Sequence, residues 1–129
     1  MKQDRPYNCG IFAARYLLKI KDSPRYLEKL AGTTEKEGTS HDGMKKIFKH
    51  FKIHYLSGEA DLGLIKGLLP AIVNYQAWGD GHYGVVLTIG DKVALWDPGD
   101  GKTRKFTISE FKKRWFSKRY GKNWFIARR

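Results

Sequence analysis

His82-Tyr83-Gly84-Val85-Val86-Leu87-Thr88-Ile89-Gly90-Asp91-Lys92-Val93-Ala94-Leu95-Trp96-Asp97-Pro98 reads as two apolar strands joined by a two-residue turn. Valine, isoleucine and tryptophan favour a pleated, half-buried surface, and Gly90-Asp91 is hairpin-turn chemistry. Pro98 carries no N–H and stops the ladder. Counting outward from the turn, Ile89 pairs with about Lys92, which sets His82 opposite about Gly99. His82 and Asp97 then stand near the same end of an antiparallel sheet. A carboxylate accepting from one imidazole nitrogen fixes the tautomer and orientation of the other.

The remaining segments arrange themselves around this hairpin. Downstream and just upstream, strands are expected over 71–76, 104–107 and 123–127, with a short one over 53–56. A short helix over 62–69 is ended by Pro70, and Ser109 caps a helix reaching about residue 116. The first fifty residues have the other period. An apolar helix covers 9–20, and a second follows Ser23-Pro24 and stops at Gly32. Thr39 or Ser40 caps a third, in which Met44, Ile47, Phe48 and Phe51 recur at helical spacing. Helices first and an antiparallel sheet afterwards describe an α+β domain. With no repeat, low-complexity stretch or linker, residues 1–129 are expected to form one domain, helical to about residue 52 and sheet beyond.

The single cysteine, Cys9, closes the run Gln3-Asp4-Arg5-Pro6-Tyr7-Asn8-Cys9-Gly10. A thiol at a helix N-terminus meets the positive end of the helix dipole, which favours its thiolate. A cysteine nucleophile needs a base, and the base an orienting group. Of the four histidines, solvated or capping roles fit His41 and His50 better than catalysis, and His54 reads as a surface residue. His82 begins a buried strand, where a base is held rigidly. Gln3 reads as a side-chain amide that, with the Cys9 backbone N–H, faces a tetrahedral oxyanion. Cys9, His82, Asp97 and Gln3 are thus the expected site.

Composition sets bounds on partners. Hydrophobic residues are 41% and charged residues 29%, as in ordinary globular proteins. One cysteine excludes an intrachain disulfide and a cysteine-rich zinc site. Neither a cofactor nor a metal is expected. The polar N-terminus lacks a signal-peptide h-region, and no apolar run approaches the roughly 20 residues of a membrane helix; a cytoplasmic protein without membrane insertion is expected. The net charge of +12 is uneven: residues 102–129 hold 11 of the 25 Lys and Arg against one acid, Glu110. Such a segment is either a solvated face or a patch for an acidic partner. No nucleic-acid motif accompanies it, and Trp115, Tyr120, Trp124 and Phe125 read as core rather than a stacking platform, so nucleic acid is not the expected partner.

Gln3…Cys9-Gly10, Gly38-Thr39-Ser40 before an amphipathic helix, Pro70-Ala71-Ile72-Val73, Gly81-His82-Tyr83 and Trp96-Asp97-Pro98 stand in an order that resembles the C39 family of papain-like cysteine peptidases. The likeness spans nearly the whole chain. It implies a papain-like fold with Cys9 as nucleophile, His82 as base and acid, Asp97 as orienter and Gln3 as oxyanion donor. It also implies cleavage after a double-glycine leader, which in this family is often acidic; the basic C-terminal segment is then expected to attract it. The chain departs from the family at Asn8, where an acidic residue is usual, and at Gly84, where larger apolar residues fill the strand. Gln-x5-Cys-Gly also resembles phytochelatin synthases. Two alternatives therefore stand beside hydrolysis: a papain-like acyltransferase or transpeptidase, and a non-catalytic module that binds an acidic peptide or nucleic acid.

Overall fold

A computed structural model describes residues 2–77, 80–117 and 121–129. Lys118 and Arg119, counted in the basic segment, and Tyr120, named above, lie outside the described residues, as do Met1, Trp78 and Gly79. Three helices come first: α1 (Cys9–Leu18), α2 (Pro24–Ala31) and α3 (His41–His50). After them come β1 (Tyr55–Glu59), α4 (Leu62–Lys66), β2 (Ala71–Ala77), β3 (Asp80–Ile89), β4 (Lys92–Asp97) and β5 (Lys102–Thr107). The chain continues through α5 (Ile108–Trp115), a pair of two-residue strands β6 (Phe116–Ser117) and β7 (Gly121–Lys122), and β8 (Trp124–Arg128).

The main sheet has the order β1-β8-β2-β3-β4-β5, and every pairing is antiparallel. Alternation along each strand sends side chains to two faces. On one face Tyr83, Val85, Trp96, Ile72 and Ile126 join α1, α2 and α3 in a core around Phe12, Leu27 and Phe48. On the other, Val73, Tyr75, Leu95 and Phe125 meet Phe111 and Trp115 of α5. The sheet is therefore buried on both sides, which explains the near-continuous apolar character of β2 and the start of β8. Among the described residues no helix is long and apolar enough to cross a membrane.

Several boundaries differ from the sequence reading. Helix α1 stops at Leu18 because Lys19 adopts a left-handed conformation (φ 56°) and its N–H turns back to the Arg15 carbonyl. Helix α4 ends at Lys66, with Gly67 rather than Pro70 as its terminus. The α5 helix begins one residue before Ser109, and the capping hydroxyl is that of Thr107, which accepts from the Glu110 N–H at 3.1 Å. Strand β1 lies two to three residues later than expected, because 51–54 complete the turn out of α3.

The hairpin contains two compensating departures. Next to the turn Ile89 pairs with Val93, one residue beyond the expected partner. The register then shifts between Val86 and Thr88, and from there Val85 pairs with Trp96. An extra residue on one strand of a ladder is a β-bulge. It returns the lower strand ends to the alignment that the simple count anticipates.

Candidate active site

At the start of α1, Asn8 makes no side-chain cap, so the first-turn N–H groups beside Cys9 are not covered by it. Its side chain works backwards instead. Oδ1 accepts from the Arg5 N–H at 3.3 Å, while Nδ2 donates to Asp4 Oδ1 at 2.7 Å and Glu28 Oε2 at 3.2 Å. Arg25 completes the cluster by pairing with both acids, at 2.5 Å to Asp4. Asn8 is fully buried. Here an aspartate would set a third carboxylate against two others.

That contact makes a prediction. Asn8→Asp loses two donated hydrogen bonds in a buried place, a cost of about 1–3 kcal/mol. An acid at a helix N-terminus gains only about 0.3–1 kcal/mol from the dipole. The loss wins, so denaturant unfolding at neutral pH is expected to show Asn8→Asp less stable by about 1–2 kcal/mol, with the deficit shrinking as the acids are protonated. Equal or greater stability at pH 7 would show that Arg25 alone governs the cluster.

Gly10 follows Cys9 because nothing larger fits. A Cβ there would stand 2.9 Å from the Tyr83 ring, 3.0 Å from Met44 Sδ and 3.2 Å from Thr39 Cβ. Tyr83 in turn ties three elements together. Its hydroxyl donates to the Thr39 carbonyl at 2.8 Å, and its backbone N–H points at Cys9 Sγ, 3.5 Å away. Helix α1 is thereby pressed against the end of β3 that carries His82.

His82 Nε2 donates to Asp97 Oδ1 at 2.7 Å. Nε2 is thus engaged, and Nδ1 is the nitrogen left to meet Cys9. Burial pushes the His82 imidazolium towards losing its proton, but hydrogen bonds to Asp97 and Cys9 outweigh this and hold its pKa at about 9. Asp97 is buried as well. Burial raises its pKa, yet hydrogen bonds from His82, the Gly99 N–H and Arg104 overcome that and keep it well below the usual carboxylate range. The Gly99 N–H and Arg104 Nε donate at 2.8 and 2.9 Å. Beneath the pair, the buried Tyr75 ring meets the His82 ring edge-on at 5.6 Å. Its phenol is kept protonated by burial and by the neighbouring Asp97.

Gln3 reaches the same cleft on an anchored segment: its backbone N–H donates to the Pro98 carbonyl at 2.7 Å. Its side-chain Nε2 donates to the Arg5 carbonyl at 2.7 Å, and among the described residues its second amide hydrogen is unspent and the buried Oε1 has no partner. The cleft has a volume of about 690 Å³ and is lined by Gln3, Cys9, Thr39, Asn74, His82 and Gly99 among others. Its charged rim is Asp4, Arg5, Glu35, Lys36 and Glu37. Among the described residues, no cation of the 102–129 segment lines it.

The structure therefore gathers all four expected residues: Cys9, His82 and Asp97 in one chain of contacts, and Gln3 on the shared wall. The other histidines stand apart. His41 does not cap its helix, a role taken by Ser40, and is half-buried: its ring stacks on Trp124 at 3.9 Å, and burial, then Lys45, lowers its pKa to about 4. His50 is exposed against the Tyr26 hydroxyl at 3.0 Å, and His54 is exposed just before β1. Sequence reasoning missed Arg104, counted with the basic segment, and the Asn8 cluster. Arg104 carried no local signal: it shares a face with Asp97 only because the register pairs Asp97 with Lys102, two residues before it.

A model of the Peptidase C39 family matches residues 1–119. No curated protein sequence matches the chain. Among solved structures, the peptidase domain of Streptococcus ComA, a bi-functional ABC transporter involved in a quorum-sensing pathway, aligns with a TM-score of 0.80 and 23% identity over 100% of this chain and 97% of that one. A double glycine motif protease from an AMS/PCAT transporter, in complex with the leader peptide, gives 0.81 and 15% over 98% and 87%. The N-terminal peptidase C39-like domain of a toxin secretion ATP-binding protein from Vibrio parahaemolyticus gives 0.70 and 13% over 98% and 99%. The helix-and-antiparallel-sheet fold is that of these peptidase domains.

Proposed function

Because the chain belongs to the peptidase C39 family, we propose that residues 1–129 act as one cysteine peptidase domain that cleaves a peptide after a Gly-Gly pair. The observation that carries this reading is His82, bonded to Asp97 at 2.7 Å and to Cys9 on its other side. Cys9, as thiolate beside the His82 imidazolium, attacks the scissile carbonyl. The oxyanion is met by the Cys9 N–H and the free amide hydrogen of Gln3. His82 passes its proton to the leaving amine, then takes one from the water that releases the acyl group. Asp97 holds the imidazole in the required tautomer throughout. The Gly-Gly preference draws support from the double glycine motif protease with its leader peptide. Working through a reduced thiol suits a cytoplasmic location.

The test is product analysis by mass spectrometry. An acidic synthetic peptide with an internal Gly-Gly is incubated with the protein, with and without an added amine, at low and moderate salt. Two fragments ending and starting at the Gly-Gly junction are expected, unchanged by the amine. Transfer to the amine would replace hydrolysis with the acyltransferase reading, and a bound but intact peptide would leave only a binding module. Among the described residues the C-terminal cations do not line the cleft, so their attraction of an acidic leader acts over a distance, and kcat/KM is then expected to fall with salt. A rate indifferent to salt would remove that attraction from the proposal.

A further inference from the structure

Asp97 is held from a side that the cleavage scheme does not use. In the β4–β5 ladder Leu95 faces Arg104 and Asp97 faces Lys102. Residues two apart along a strand share a face, so Arg104 and Asp97 are diagonal neighbours within reach of a long side chain. The contact is made: Arg104 Nε donates to Asp97 Oδ2 at 2.9 Å, and Nη2 donates to Asp100 Oδ2 at 2.8 Å. Asp97 Oδ1 meanwhile takes His82 Nε2 and the Gly99 N–H. The carboxylate, 1% exposed, is gripped through both oxygens.

This division of labour matters for orientation. A carboxylate bound through Oδ1 alone turns about its Cβ–Cγ bond and swings the acceptor that His82 needs. A donor on Oδ2 stops the turn, and a guanidinium anchored at its far end by Asp100 is a stiff donor. We propose that Arg104 is a positioning residue of the active site: it fixes the plane of Asp97 and keeps that carboxylate a charged acceptor for His82. The proposal rests on the reading of Cys9, His82 and Asp97 as the reacting group. The groups facing Asp97 are His82 from β3, Tyr75 from β2, Arg104 from β5 and Gly99 with Asp100 from the turn; Cys9 lies beyond His82.

The experiment follows Cys9 alkylation by iodoacetamide against pH in the full chain, alongside peptide cleavage and thermal unfolding, for wild type, Arg104→Met, Arg104→Lys and His82→Ala. Removing a cation and loosening the imidazole both disfavour the thiolate. The lower limb of the Arg104→Met alkylation profile is expected to move up by about half a pH unit or more. Its kcat is expected to fall roughly ten- to a hundredfold with KM little changed. Arg104→Lys, which restores the charge and one donor, is expected to recover the limb and part of kcat. A lower melting temperature with an unmoved limb and unchanged kcat in Arg104→Met would reduce Arg104 to a structural ion pair and overturn the proposal. If His82→Ala also leaves the profile untouched, the reading of the site itself falls, and Arg104's role with it; if His82→Ala moves it and Arg104→Met does not, only the latter fails.

Discussion

Cys9→Ala is expected to abolish peptide cleavage, and His82→Ala to lower kcat by a factor of about 10³ or more, with the double variant no worse than Cys9→Ala. Residues that act as one unit fail together, so non-additivity is the signature. The His82→Ala effect has a pH dependence of its own. In the folded protein His82 titrates at about 9, above its ordinary value of 6.5, because its bonds to Asp97 and Cys9 outweigh burial. Activity in wild type is therefore expected to fall as pH rises through about 9, where the proton destined for the leaving amine is lost. The linked stability has the same sign. A group whose pKa is raised by folding stabilises fully below its unfolded value and loses that contribution as pH climbs through the folded one. Urea unfolding of wild type should thus weaken between about pH 6.5 and 9, and His82→Ala should flatten that window. Neutral-pH alkylation of Cys9 unchanged by His82→Ala, or cleavage surviving Cys9→Ala, would remove the thiolate–imidazolium pair from the mechanism.

Each of the three residues of the proposed catalytic group was legible because it sits at the end of an element with its own local signal. Cys9 precedes an apolar helix, His82 opens an apolar strand, and Asp97 is followed by a proline that ends another. Their convergence required only a hairpin count. That count was one residue wrong at the turn and was set right by the bulge between Val86 and Thr88, a feature with no local marker. What the residues did not reveal is non-local. The last strand, β8, inserts between β1 and β2, pairing Phe125 with both Gly58 and Val73, and no periodicity distinguishes that place from an edge. Arg104 looks like its basic neighbours until the ladder brings it to Asp97. Asn8 looks like a helix cap, yet its donors serve Asp4 and Glu28, twenty residues away in the latter case. Contacts whose partners lie far along the chain obey packing, which a single sequence does not display.

Gly84→Val supplies the second large effect, and it turns on the same packing. Gly84 pairs with Val73 in the middle of β3, where a β-branched residue would ordinarily be favoured by up to about 1 kcal/mol. Space decides otherwise. A Cβ on Gly84 would stand 2.8 Å from Leu95 Cδ2 and 2.9 Å from Tyr75 Cε1. Both side chains are fully buried, so neither has solvent to retreat into. Overpacking of this kind costs about 1–3 kcal/mol, and valine brings two further methyl groups, so the loss exceeds the strand preference. Gly84→Val is expected to be about 2 kcal/mol less stable in denaturant unfolding. Activity should fall further than stability alone explains. Tyr75 is the cross-strand partner of His82, and displacing its ring tilts the surface on which the imidazole rests. Leu27→Ala, in the α2 side of the core and not among the residues that line the cleft, provides the comparison. It removes comparable stability through a cavity while leaving Tyr75 in place. At a temperature where both variants remain folded, kcat is expected to drop in Gly84→Val and to hold near wild type in Leu27→Ala. Leu95→Ala added to Gly84→Val should return part of the lost stability, because the smaller side chain makes room for the valine. A Gly84→Val protein as stable and as active as wild type would mean that Tyr75 and Leu95 yield without cost, and that His82 takes its position from Asp97 and Cys9 alone.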